Sequence, residues 1–143
     1  MKEIALEKNL RIEELDTPEW QIIGGEISQY NTQQAGEDHA KNLCFVVKSS
    51  EDEIVGGVIG TNYWDWFSLE LMWVREDLRG QGYGTQLLTL AEEKARDRGA
   101  KQVCLDTFSF QAPEFYKKFG YEVFGVLDHF PNNHKRYYMT KNL

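Results

Sequence analysis

The segment that most narrows the fold of this 143-residue chain is Val74-Arg-Glu-Asp-Leu-Arg79-Gly80-Gln81-Gly82-Tyr83-Gly84-Thr85. An apolar, strand-like run leads into it, glycines occupy three alternating positions, and a long helical pattern follows at once. The first turn of a helix leaves backbone N–H groups without partners and carries about half a positive charge. Glycines let those amides approach an anion closely and take up positive φ. The turn is therefore suited to a pyrophosphate, with the fixed charge of Arg79 beside it. Two other phosphate motifs do not fit. The dinucleotide fingerprint GxGxxG needs a different spacing and an early βαβ unit, and the P-loop needs a lysine after its glycines.

Hydrophobic spacing on either side predicts the rest of the fold. Gly82 to Arg98 reads as a helix with Gly84, Leu88, Ala91 and Ala95 on one stripe, a surface Glu92–Arg96 ion pair, and Gly99 as its stop. Upstream, Thr17-Pro18-Glu19 reads as a helix start, a capping side chain followed by proline at the first helical position. That helix is expected to reach Tyr30, with Trp20, Ile23, Ile27 and Tyr30 on one face. A polar stretch, Asn31 to Asn42, precedes strands at Leu43–Lys48 and Ile54–Tyr63, a hairpin tip at Trp64–Phe67, and a strand at Ser68–Val74. Beyond the central helix come a strand at Gln102–Thr107, a short helix from Pro113 to Phe119 stopped by Gly120, and strands at Tyr121–Leu127 and Lys135–Thr140. The order is strand, helix, three strands, helix, strand, helix, two strands. It predicts one α/β (α+β) domain over residues 1–143, a mixed, mostly antiparallel sheet of six to seven strands flanked by helices.

Charge and composition remove several function classes. The formal net charge is −7, with 5 basic and 14 acidic groups in residues 1–70 against 11 and 9 in residues 71–143. A nucleic-acid binder normally carries a strong basic patch, so that class is disfavoured. The asymmetry suits a chain that holds an anionic ligand in one half and attracts a cation with the other; a merely solvated acidic end reads equally well. No run approaches the roughly 20 apolar residues of a membrane span, and the amino-terminal residues do not resemble a secretory signal, so a cytoplasmic location is expected. Cys44 and Cys104 lie in apolar runs and are expected to be reduced, buried thiols. His39, His129 and His134 show no ligand spacing, so no metal is expected.

Arg79-x-x-Gly82-x-Gly84 is similar to the (Gln/Arg)-x-x-Gly-x-(Gly/Ala) signature of the GNAT N-acetyltransferases. Ser109-x-x-Ala112-Pro-Glu-Phe115-Tyr116-Lys-Lys-Phe-Gly120-Tyr121 resembles that family's Asn-x-x-Ala-x-x-Phe-Tyr-x-x-x-Gly-Phe segment, with Ser109 in place of asparagine and Tyr121 in place of phenylalanine. The two motifs keep the family's order, and the strand order extends the likeness over nearly the whole chain. The resemblance implies a GNAT-like fold and transfer of acetyl from acetyl-CoA, as cosubstrate, directly to an amine. It implies cofactor contacts from Met72, Trp73, Val74, Arg79, Gly80, Gln81, Gly82, Tyr83, Gly84, Thr85, Ser109, Ala112 and Tyr116, with the substitution at Ser109 putting one contact in doubt. Tyr116 takes the family's general-acid position, and a backbone N–H near Val74 the oxyanion contact. Glu70 is the one carboxylate inside the strand before the turn and alternates with Met72 and Val74; because some relatives carry a base on this strand, the resemblance makes it the candidate base, and a glutamate that faces solvent or pairs with a lysine fits the position as well. The acceptor is expected to be a small cationic amine held by Tyr30, Trp64, Trp66 and Phe130, aromatic rings suited to a cation. A packed hairpin or a dimer contact accounts for Trp64 and Trp66 as well. A protein acceptor (lysine or N-terminus) and a non-catalytic acyl-CoA sensor stay open. Family members are often homodimers, and Lys135–Thr140 is the strand expected to offer an edge.

Overall fold

A computed structural model describes residues 9–143. The chain divides into two compact units, one ending at Glu37 and the other spanning Asp38–Leu143. In the first, α1 runs Trp20–Ala35. Glu19, not Thr17, precedes its first turn and accepts the Ile23 N–H at 3.1 Å, so Pro18 lies outside the helix. The helix continues through the polar residues after Tyr30 and ends at Gly36, whose φ of +81° suits only glycine well and whose N–H bonds the Thr32 carbonyl at 2.9 Å. Trp20, Ile23, Ile27 and Tyr30 are all exposed. The strand expected ahead of this helix has no counterpart in residues 9–16, and residues 1–8 lie outside the described part of the chain.

The second unit contains β1 (Lys41–Lys48), β2 (Ile54–Tyr63), β3 (Trp66–Val74), α2 (Tyr83–Asp97), β4 (Gln102–Phe108), α3 (Pro113–Lys118), β5 (Glu122–Asp128) and β6 (Lys135–Asn142). They form one six-stranded sheet in the order β1-β2-β3-β4-β6-β5. Every pairing is antiparallel except β3 with β4. Because β6 lies between β4 and β5, Lys135–Thr140 is interior; the sheet's edges are β1 and β5. Among the described residues, no helix is long and apolar enough to cross a membrane.

The α2 stripe explains the core. Leu87, Leu88, Ala91 and Ala95 are buried against Leu43, Val58, Phe67, Leu69, Val103 and Met139 on one sheet face. Glu92, expected to pair with Arg96 on the surface, is instead only 8% exposed. Its carboxylate accepts the Tyr121 hydroxyl at 2.6 Å and the Lys141 ammonium at 2.8 and 3.1 Å. The stripe is wider than four small or apolar positions, and a buried carboxylate requires such partners.

Two irregularities interrupt β3. Ile59 faces Leu71 and Gly60 faces Leu69, so Glu70 has no partner on β2 and forms a bulge. Gly60 tolerates the kink because it lacks a side chain: a Cβ there would lie 2.7 Å from the Ser68 carbonyl and against the buried Phe67 ring. The second irregularity is the short pairing with β4, limited to Trp66–Ser68 against Gln102–Cys104. Beyond those residues the two strands diverge and leave a notch.

Candidate active site

The notch is the inner end of a cleft of about 730 Å³, ample for a small-molecule site. One wall is β3 from Leu69 to Val74, the other is Asp106 and Thr107 on β4 with Phe110–Ala112, Phe115 and Tyr116 behind them. The floor is Leu78, Arg79, Gly80 and the start of α2. Past Ser68 the β3 edge that faces β4 has no strand partner, so an extended ligand can lie along it as an added strand.

The glycine turn has the backbone its sequence requires. Gly80 and Gly82 have φ of +77° and +91°, and Gly82 is the residue before the first turn of α2. The helix's first backbone bond runs from the Gln86 N–H to the Gly82 carbonyl at 3.0 Å, so the preceding amides belong to the unpaired first turn. A Cβ at Gly80 or Gly82 would project into open space, so the glycines keep clear the approach to these amides. This fits a diphosphate. Gly84 serves differently, lying where the Phe115 ring packs 3.5 Å from the place of its missing Cβ. Arg79 is tethered through Nε to the Val74 carbonyl at 3.0 Å, which holds its charge beside the turn.

Tyr116, in α3, is 6% exposed and packs edge-on against Phe115 and Tyr121. Burial first, and the nearby charge of Asp106 second, push its phenol up to about 12. Glu70 lies on the bulge, and its Oε1 is 3.0 Å from the Thr61 hydroxyl, which is also 2.8 Å from Asn42 Oδ1. The bulge therefore breaks the alternation expected with Met72 and Val74: those two pack on the core, whereas Glu70 leans to the opposite face with Thr61.

Of the residues singled out for a cofactor, Met72, Trp73, Val74, Arg79, Gly80, Gly82, Tyr83, Gly84, Thr85, Ala112 and Tyr116 line the cleft. Gln81 and Ser109 do not: the Gln81 amide donates to the Asp77 carbonyl at 3.3 Å, and the Ser109 hydroxyl accepts the Lys135 N–H at 3.0 Å, tying the loop to β6. Trp64 and Trp66 lie at the hairpin, the end where β3 and β4 are still paired, away from the notch. Phe130 packs on Phe108 and lies under the Arg136 guanidinium instead of lining the cleft. Tyr30 is an exposed residue of α1 in the other unit. Cys44 and Cys104 are free thiols, but Cys44 is exposed and Cys104 only partly buried, because both alternate away from the α2 face. Burial pushes the Cys104 thiol up, against a hydrogen bond from Ser68, so it is not poised as a thiolate. Sequence reading missed Asp106, Thr107, Phe110, Gln111 and Phe115 in the lining. For Asp106 a signal existed, a lone charge inside the apolar run Val103-Cys-Leu-Asp-Thr107.

A parallel strand pair opened over a glycine-lined helix start forms a cleft suited to an elongated, anionic ligand. Comparison with known proteins agrees. The model of the acetyltransferase (GNAT) family matches residues 9–121. The chain is similar to an acetyltransferase of Agrobacterium fabrum, 33% identical over 98 residues (68% of this chain, 72% of that one). It is 34% identical over 92 residues to the blasticidin-S acetyltransferase of Streptomyces morookaense (64% of this chain, 68% of that one). The crystal structure of an acetyltransferase from Bacillus cereus superposes with a TM-score of 0.86 at 38% identity, covering 94% of this chain and 98% of that one. The chain belongs to the GNAT acetyltransferases, acyl-transferring enzymes that use acetyl-CoA.

Proposed function

We propose that the protein moves acetyl from acetyl-CoA directly onto the amine of a small, cationic molecule. One observation carries this reading: a single cleft joins the glycine turn, suited to the diphosphate, to a notch between β3 and β4 where two carboxylates, Glu70 and Asp106, lie beside a buried phenol. The likeness to an enzyme named for acetylating blasticidin-S is consistent with a small acceptor.

In this reading the amides of the turn and Arg79 hold the diphosphate, and the pantetheine arm lies along the free edge of β3. Glu70 takes a proton from the acceptor ammonium through water, and the neutral nitrogen attacks the thioester carbonyl. A backbone N–H near Val74 faces the oxyanion. As the C–S bond breaks, Tyr116 donates toward the departing thiolate; its raised pKa keeps the proton in place throughout the neutral range. The test is release of free thiol from acetyl-CoA over a panel of small mono- and diamines, lysine peptides and peptides with free N-termini, with wild type and E70Q. Turnover is expected on the small cationic amines, with E70Q losing the low-pH limb of kcat/KM. Turnover on peptides alone refutes the acceptor class, and an intact limb in E70Q removes Glu70 from the reaction.

A further inference from the structure

The two carboxylates at the notch are not equivalent. Behind the main cleft, between the diverging strands, lies a second cavity of about 310 Å³. Glu70 and Asp106 line both spaces, and the rings of Phe124 and Tyr138 wall the second. Asp106 and Tyr138 face one another across β4 and β6, on the sheet face turned away from α2, the face to which Thr61 draws Glu70. Asp106 is held from one side only: Arg136 Nε and Nη2 reach the same oxygen, Oδ1, at 3.0 and 2.9 Å. The guanidinium is itself fixed among three rings, its carbon 5.5, 5.0 and 5.3 Å from the centroids of Phe108, Phe130 and Tyr138. Phe130, one of the four rings that sequence reading assigned to a substrate cation, is thus taken up by the protein's own arginine, and what that arginine presents to the cavity is an oriented carboxylate.

Resting on the acetyl-transfer reading above, we propose that Asp106 is a specificity-determining residue that selects acceptors with two cationic groups joined by a short apolar linker. Only one of two ammonium groups gives up its proton before attack. The other stays charged and requires a counter-charge once it leaves water. Glu70 serves the reacting nitrogen, Asp106 Oδ2 meets the second ammonium, and Phe124 and Tyr138 cover the linker. Glu70, Asp106 and Arg136 together leave one negative charge at this end, which favours a cation over a neutral or anionic acceptor.

The experiment compares acetylation of 1,4-diaminobutane and butylamine by wild type, D106N and R136Q. Wild type is expected to favour the diamine in kcat/KM by tenfold or more. D106N should cut that preference at least tenfold, through the acceptor KM, while the KM for acetyl-CoA stays within twofold and so marks an intact fold. R136Q retains the carboxylate without its guanidinium brace and should keep more of the preference than D106N does. No preference in wild type, an undiminished one in D106N, or an equal loss in R136Q, which would reduce Asp106 to an anchor for Arg136, each overturns the proposal. Wild type that transfers acetyl to no amine overturns the acetyl-transfer reading as well, so the two failures are distinguishable.

Discussion

Tyr116→Phe removes one hydroxyl and little else. The ring is 6% exposed and held by edge contacts to Phe115 and Tyr121 at centroid distances of 5.3 and 5.6 Å, all of which phenylalanine keeps. The fold and the cleft should therefore survive the change. The phenol sits at about 12 because burial and Asp106 disfavour the phenolate. A thiol ionises near 8.5, so complete proton transfer to a free thiolate would run uphill by about 3.5 units, or about 5 kcal/mol. The useful contribution is then a hydrogen bond to the sulfur as charge develops on it, about 2–3 kcal/mol for a neutral donor meeting an ionised acceptor. That corresponds to roughly a 30- to 150-fold fall in kcat. Thiol release at saturating substrates between pH 6 and pH 10, with calorimetric titration of CoA alongside, measures both consequences. The variant should lose rate by that factor across the whole range and bind CoA within threefold of wild type. Because the phenol's pKa is raised, wild type should show no alkaline fall from this group below pH 10. An unchanged kcat refutes the acid role, and an alkaline fall centred below pH 10 that vanishes in Y116F refutes the assigned pKa.

Glu92→Gln breaks the charge at a site 8% exposed, leaving the Lys141 ammonium without its counter-ion and the Tyr121 hydroxyl with a weaker acceptor; urea unfolding should show a loss of about 3 kcal/mol, and a loss under 1 kcal/mol would mean the network is solvated. Gly82→Ala forces a side chain onto a φ of +91° without meeting any neighbouring atom, so the cost in stability should stay near 1–2 kcal/mol. Its methyl would occupy the open space beside the turn, where the bound diphosphate is expected, and CoA affinity measured by calorimetry should fall at least tenfold; unchanged affinity would place the diphosphate elsewhere.

Much of the second unit was legible because its elements carry clean periods and glycine stops. The α2 stripe, the Ile54–Tyr63 strand and the Gly99 and Gly120 stops lie where spacing put them, and the two flanking motifs located most of the cleft. What escaped reading depends on events between strands. Glu70 reads in phase with Met72 and Val74 because a bulge is invisible in one strand's sequence; it exists only in the register against β2. Trp64 and Trp66 were plausible cation walls until pairing showed which end of β3 stays closed. Ser109 sits in the right motif, yet its hydroxyl is taken by a β6 amide 26 residues away. Thr17-Pro18 failed for a local reason, since the helix begins two residues later without a side-chain cap. Asp106 was the most readable omission, passed over because one charge in an apolar strand looks like a surface position.

The unpaired residue in β3 also sets a counting rule for the strand. Ahead of Glu70 the inward side chains are the odd-numbered Phe67 and Leu69; after it they are the even-numbered Met72 and Val74. Were all nine residues laddered without a break, Leu71 and Trp73 would swing into the packed interior and Met72 and Val74 toward solvent. Excising Glu70 would instead yield an unbroken ladder with the same inward set. The sheet can therefore dispense with this position, and the surplus residue is the one that brings a carboxylate to the cleft wall.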